Sequence, residues 1–160
     1  MSAEARVVNG AVNSWKQVIA RADKAFAGLS AEQLQKEVAP GKNRLIYLLG
    51  HLTAVHDSMF AALGLGERLH PELDAIFLSQ PDRAVETLPS VTELQAWWSA
   101  VNARLTAAFA GLTAEDWVQK HALVSEEDFA KEPDRNRLAI LLSRTNHVSF
   151  HLGQTVLART

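Results

Sequence analysis

The chain has 160 residues, 48% of them hydrophobic, enough for one domain with a substantial core and too apolar for disorder. Its 16 basic and 18 acidic residues leave a net charge of -2, which excludes bulk attraction to nucleic acid or to an anionic membrane. There is no cysteine, so disulfides, thiolate metal sites and a cysteine nucleophile are excluded, and any metal must be held by nitrogen and oxygen.

Nearly all the periodicity is helical. From about Ala3 to Ala27, Val8, Val12, Trp15, Ile19, Ala22 and Phe26 recur at spacings of three and four, as an amphipathic helix requires. Gly28 closes it, and Ser30-Ala31-Glu32-Gln33 reads as a capping box opening a short helix. Pro40-Gly41 is a breaker before a second long helix, about Asn43 to Leu63. A loop-rich stretch from Leu65 to Pro89 follows, with a turn or two of helix at Leu73 to Leu78. Ser90-Val91-Thr92-Glu93 is another capping box and opens a third long helix that ends at Gly111. Thr113 starts a further short helix, and Ser125 to Asp128 is a loop or a single helical turn. The last long helix runs from about Asp134 to Ala158. No strand is expected.

The chain also repeats itself. Residues 25–32 read AFAGLSAE and residues 108–115 read AFAGLTAE; Asn43-Arg44-Leu45 recurs as Asn136-Arg137-Leu138. The expectation is a single all-α domain over residues 1–160. It is a four-helix bundle built from a duplicated helix pair with a pseudo-two-fold axis, carrying its site in the cleft between halves. The second half holds about ten extra residues, between Lys120 and Pro133.

Six histidines occur: His51, His56, His70, His121, His147 and His151. His147 and His151 are four apart, ~40° around a helix and one turn above each other, so they can share one ion. Gln154 continues that stripe and Arg144 precedes it. His51 and His56, five apart and ~140° around the helix, cannot both face that ion, and periodicity does not choose between them.

A histidine after "YLLG" in the second helix, with "HVSFHLGQ" in the last, resembles the DinB/YfiT-like metalloprotein superfamily of damage-inducible helical bundles. The resemblance covers the whole chain. It implies a metal triad of His51, His147 and His151 and gives His56 no part in it. Such a set suits Zn or Ni, or another first-row divalent ion. The resemblance further implies a metal-dependent enzyme acting on a small molecule, most simply an S-transferase using a low-molecular-weight thiol. Two alternatives are a metal-dependent hydrolase and a non-catalytic stress-response or binding module. Bis-histidine haem would leave the third histidine unexplained.

Gln154 is expected either to orient a ligand or a water or to be solvated at the helix end, Arg144 to hold a substrate carboxylate or a surface ion pair, and Tyr47 to line the cleft with Val55 and one of Trp97 or Trp98. That cleft is expected between the second, third and last long helices. Asp57 reads as a solvated carboxylate, and His70 and His121 as exposed. The N-terminus is polar every few residues and shows no secretory signal, and no apolar run of about 18 residues occurs. The expected location is cytoplasmic. The expected partners are a small-molecule substrate and a second copy of the chain, with no nucleic acid and no membrane.

Overall fold

The computed structural model describes residues 1–158; the last two residues of the expected 1–160 domain lie outside the described residues. The chain order is α1 (Ala3–Ala27), α2 (Ala31–Leu34), α3 (Leu45–Ala62), α4 (Leu73–Phe77), α5 (Val91–Phe109), α6 (Ala114–Val118), α7 (Glu126–Lys131) and α8 (Arg137–Ala158). Local chemistry sets the ends. Ser30, Ser90 and Thr113 each close a reciprocal capping box with the residue three positions on. Beyond α3, Gly64 and Gly66 take positive φ, where other residues are strained. The stretch read as a loop or one turn is the six-residue α7, capped by Ser125.

Side-chain contacts give the helix directions. Trp15 meets Phe109 while Asp23 and Phe26 meet Trp98, so α1 and α5 run antiparallel. His56 meets Asn102 and Phe60 lies under Arg104, so α5 runs parallel to α3. His51 meets His147 while Gly64 approaches Arg137, so α8 runs antiparallel to α3 and parallel to α1. The long helices are thus up, down, down, up. Two consecutive parallel helices need a connection that travels back along the bundle. Residues 63–90 are that crossover.

The duplication is visible in the backbone. Leu29 N donates to Phe26 O and Leu34 N to Ser30 O; Leu112 N to Phe109 O and Trp117 N to Thr113 O repeat them 83 residues later. Phe26 and Phe109 are both buried, as are Leu34 and Trp117. The Asn-Arg-Leu triplets, however, are one residue out of structural register. Arg44 is the N-cap of α3 and bridges to Glu37, whereas the residue that bridges to Lys120, next before α8, is Asn136. Its side chain takes the amide of Ala139. Arg44 is therefore matched by Asn136, because the capping position and not the sequence triplet sets the helix start.

α3 is the centre of the molecule. Of its residues only His51, Ser58 and Ala61 are not buried, as expected of a helix that is apolar nearly all round. His51 and Ser58 are seven apart and so share one face. Opposite them, positions 137, 140, 144, 147, 151, 154 and 158 form one stripe of α8, and every one is half-buried. The α3–α8 seam is the partly open side of the core.

Candidate metal centre

The crossover decides how His51 is held. Arg44 grips Asp82 through its backbone amide and its guanidinium, at 2.7–3.2 Å. Asp57 is fully buried and accepts from Arg68 Nε at 2.9 Å and from the amides of Leu69 and His70. The reading of Asp57 as a solvated carboxylate is corrected: a buried carboxylate needs such partners, and here they pin the start of the loop. Phe77 packs against Gly50, where the missing side chain leaves room for its ring. The Phe77 carbonyl then accepts from His51 Nδ1 at 2.9 Å. Tyr47 stacks on the His51 ring with 10° between planes and donates its hydroxyl to the Gln80 carbonyl at 2.6 Å. Burial is the main cause that raises its pKa, so this donor stays protonated.

On α8, His151 Nδ1 stands 2.7 Å from Gln154 Oε1 and donates to it. His51 and His151 therefore each have their proton on Nδ1, facing an acceptor, and a lone pair on Nε2, facing inward. The Nε2 of His147 lies 3.2 Å from that of His51 and 3.1 Å from that of His151. A proton on His147 Nε2 could serve only one of the two lone pairs facing it. A single cation serves all three nitrogens at once. Nitrogens that share a zinc ion at ~2.0–2.1 Å stand roughly 3–3.5 Å apart, so these separations fit. Burial first, then neighbouring histidines, push His147 down to about 4, and burial lowers His151 as well; both are neutral near pH 7, the form in which an imidazole can hold a metal. Among the described residues this is the one cluster of histidines, cysteines and carboxylates close enough to hold an ion.

A cleft of about 420 Å3 borders the triad at His151, lined by Val38, Ala39, Lys42, Asn43, Leu48, His151, Gln154 and Leu157. The cleft expected from the sequence differs from it. Its walls are the 38–43 loop, α3 and the end of α8, and α5 takes no part. Tyr47 and Val55 are buried. Trp98 is buried and donates to Asp23 at 2.6 Å, and Trp97 packs on His70. The reason is helix order: α5 lies on the far side of α3 from the seam.

The other histidines separate from the triad. His56 is fully buried between Trp15 and Trp98 and donates from Nδ1 to Asn102 Oδ1 at 2.8 Å. His121 is buried, not exposed, and takes the amide of Leu123; His70 is half-buried. Arg144 is half-buried and makes no ion pair among the described residues. The sequence reading passed over Phe77 and Gly50. A glycine in mid-helix beside the candidate ligand was the available signal.

The family model of the DinB superfamily matches residues 14–155. The chain belongs to the DinB superfamily. Its fold is similar to that of a conserved protein from Enterococcus faecalis known from a crystal structure. The TM-score is 0.64 and the identity 17%, over 96% of this chain and 95% of that one. No curated protein matches the chain. Among the described residues no helix is long and apolar enough to cross a membrane.

Proposed function

We propose that this DinB-superfamily protein is a metal-dependent enzyme that transfers the sulfur of a low-molecular-weight thiol to a small electrophile. The observation that carries the reading is the convergence of three Nε2 lone-pair positions, backed by outward-facing Nδ1 donors, beside an open cleft. A zinc or nickel ion held by His51, His147 and His151 would make a thiol in that cleft ionise more readily.

The chain's own residues supply the rest. The Phe77 carbonyl and Gln154 orient two of the imidazoles, and Tyr47 holds the His51 ring in plane. Val38, Ala39, Leu48 and Leu157 give the cleft an apolar wall, which weakens the screening of charge near the triad. Since the chain has no cysteine, the thiol comes from outside. Its S–H proton passes to solvent. The thiolate sulfur then forms a bond to the electrophilic carbon as the bond to the leaving group breaks. A reducing, cytoplasmic setting suits such a thiol.

Hydrolysis is the second reading, and one observation weighs against it. Water needs a general base more than a thiol does, and the buried carboxylates Asp57 and Asp82 are both held by arginines. A panel of bacterial thiols with monochlorobimane, run on metal-loaded wild type and His147→Ala, tests the proposal. Faster conjugation by wild type with at least one thiol is expected. Equal rates with every thiol would remove the transferase reading and leave the hydrolase and the binding module.

A further inference from the structure

Four half-buried arginines, Arg44, Arg68, Arg137 and Arg144, border the core around α3 and α8, and two of them show how this protein treats a desolvated guanidinium. Arg44 places its Nε–H and Nη2 on Asp82, and Arg68 places its Nε–H on Asp57 and its Nη groups on Asp74. Arg144 is the exception. Its Nε is buried without an acceptor, and no carboxylate or carbonyl among the described residues meets the rest of its guanidinium. Even Arg137, whose Nε is also unpartnered, reaches the Asp116 carbonyl at 3.4 Å.

Arg144 stands on the α8 stripe that carries His147 and His151, one turn and two turns before them, or ~4.5 and ~10.5 Å along the axis. The stripe is half-open throughout, and the Nη groups of Arg144, unlike its Nε, are not covered. One turn on, His147 Nδ1 is a second buried nitrogen without a partner. It is the N–H donor whenever Nε2 is used as a ligand. Burial lowers the Arg144 pKa with no acidic group opposing it, and its positive charge is felt at His147 and His56. An unpaired, desolvated guanidinium is costly, and three imidazoles add no negative charge to offset it.

We propose that Arg144 is the anion-holding residue of the α3–α8 seam, receiving a carboxylate or phosphate group on the ligand whose other end faces the histidine triad. Resting on the metal-dependent reading above, this narrows the substrate or thiol to one bearing an oxyanion about one to two helical turns from its reacting atom. The Nη groups of Arg144 can grip an oxyanion as those of Arg68 grip Asp74.

The test follows the arginine Nε–H resonances and the thermal midpoint of full-length protein, metal-free and zinc-loaded. Acetate or inorganic phosphate is titrated against chloride at constant ionic strength. Arg144 should shift saturably while Arg44 and Arg68 stay in place, with tighter binding when zinc is loaded. A stronger response to acetate assigns a carboxylate, and a stronger response to phosphate assigns a phosphate. Arg144→Met should lose the anion response, keep its zinc stoichiometry and melt higher than wild type in chloride alone, since it removes an uncompensated charge. Arg144→Lys should keep the charge and weaken the response at least tenfold, because it lacks the planar fork. No saturable response to either anion overturns the proposal, as does a lower midpoint or lost zinc in Arg144→Met, which would make the residue structural. An anion response in wild type that binds no zinc would uphold Arg144 and sink the metal-dependent reading instead.

Discussion

Gly50→Ala tests the link between the crossover and the candidate metal centre. A Cβ at position 50 would lie 2.3 Å from Phe77 Cε1 and Cζ and 2.6 Å from Cδ1. Carbon atoms in ordinary contact stand ~3.5–4.0 Å apart, so the ring must retreat by roughly 1.2 Å or more. It has no free space to enter, because Phe77 is fully buried. Helix propensity alone favours alanine by ~1 kcal/mol; overpacking costs ~1–3 kcal/mol. The two partly cancel, so stability is a weak readout. Zinc affinity is the sharp one. Displacing the Phe77 carbonyl frees His51 Nδ1, and losing such a partner lowers metal affinity ~10–100-fold. Chelator competition should show that drop in Gly50→Ala, with partial recovery in Gly50→Ala/Phe77→Leu, where the smaller side chain lets the carbonyl return. Gly10→Ala is the control, since nothing lies within 4 Å of its Cβ; it should leave zinc binding unchanged and raise stability in urea by about 0.5–1 kcal/mol. Wild-type zinc affinity in Gly50→Ala would refute the claim that the loop positions His51.

Three further outcomes are expected. Alanine at His51, His147 or His151 should each lower zinc affinity at least ~100-fold by isothermal titration, and full retention in His51→Ala would break the triad as drawn. His56→Leu should keep one zinc per chain, because His56 faces Trp15 and Trp98 and not the triad; loss of the ion there would contradict the assignment. The acid limb of stability should also carry a His56 component. Burial, partly opposed by the Asn102 hydrogen bond, pushes His56 down to about 3, whereas its unfolded value is 6.5. Between these values the unfolded state binds the extra proton, so stability falls as pH drops from 6.5 toward 3, by up to ~1.4 kcal/mol per pH unit. Urea titrations of metal-free wild type and His56→Leu should differ in that slope. Parallel curves would mean that His56 is not held neutral.

Much of the fold was legible because its signals are local. The octet at 25–32 and its copy marked equivalent backbone turns because each combines a helix end with the next cap within a few residues. The Asn-Arg-Leu match misled by one position, since a triplet cannot report which residue the preceding bridge places at the cap. By the same register His147 and His151 correspond to Val55 and Met59, and His51 to Ser143. The duplication therefore built the scaffold of the site and not its histidine cluster.

By itself the sequence determined the helices, their caps and the His147–His151 pair. Each depends on contacts within one or two turns, and 3.6-residue geometry is the same wherever the helix lies. The choice of His51 over His56 rested on family resemblance, and only the tertiary structure shows its physical cause. α8 runs along the face of α3 that holds His51, while α1 and α5 close over His56. The crossover decided the rest: which carbonyl orients His51, why Gly50 has no side chain, and that Arg44 and Arg68 meet Asp82 and Asp74 while Arg144 meets no carboxylate among the described residues. The partners of His51, Gly50 and Arg44 lie tens of residues away in the chain, and no spacing within a helix specifies them.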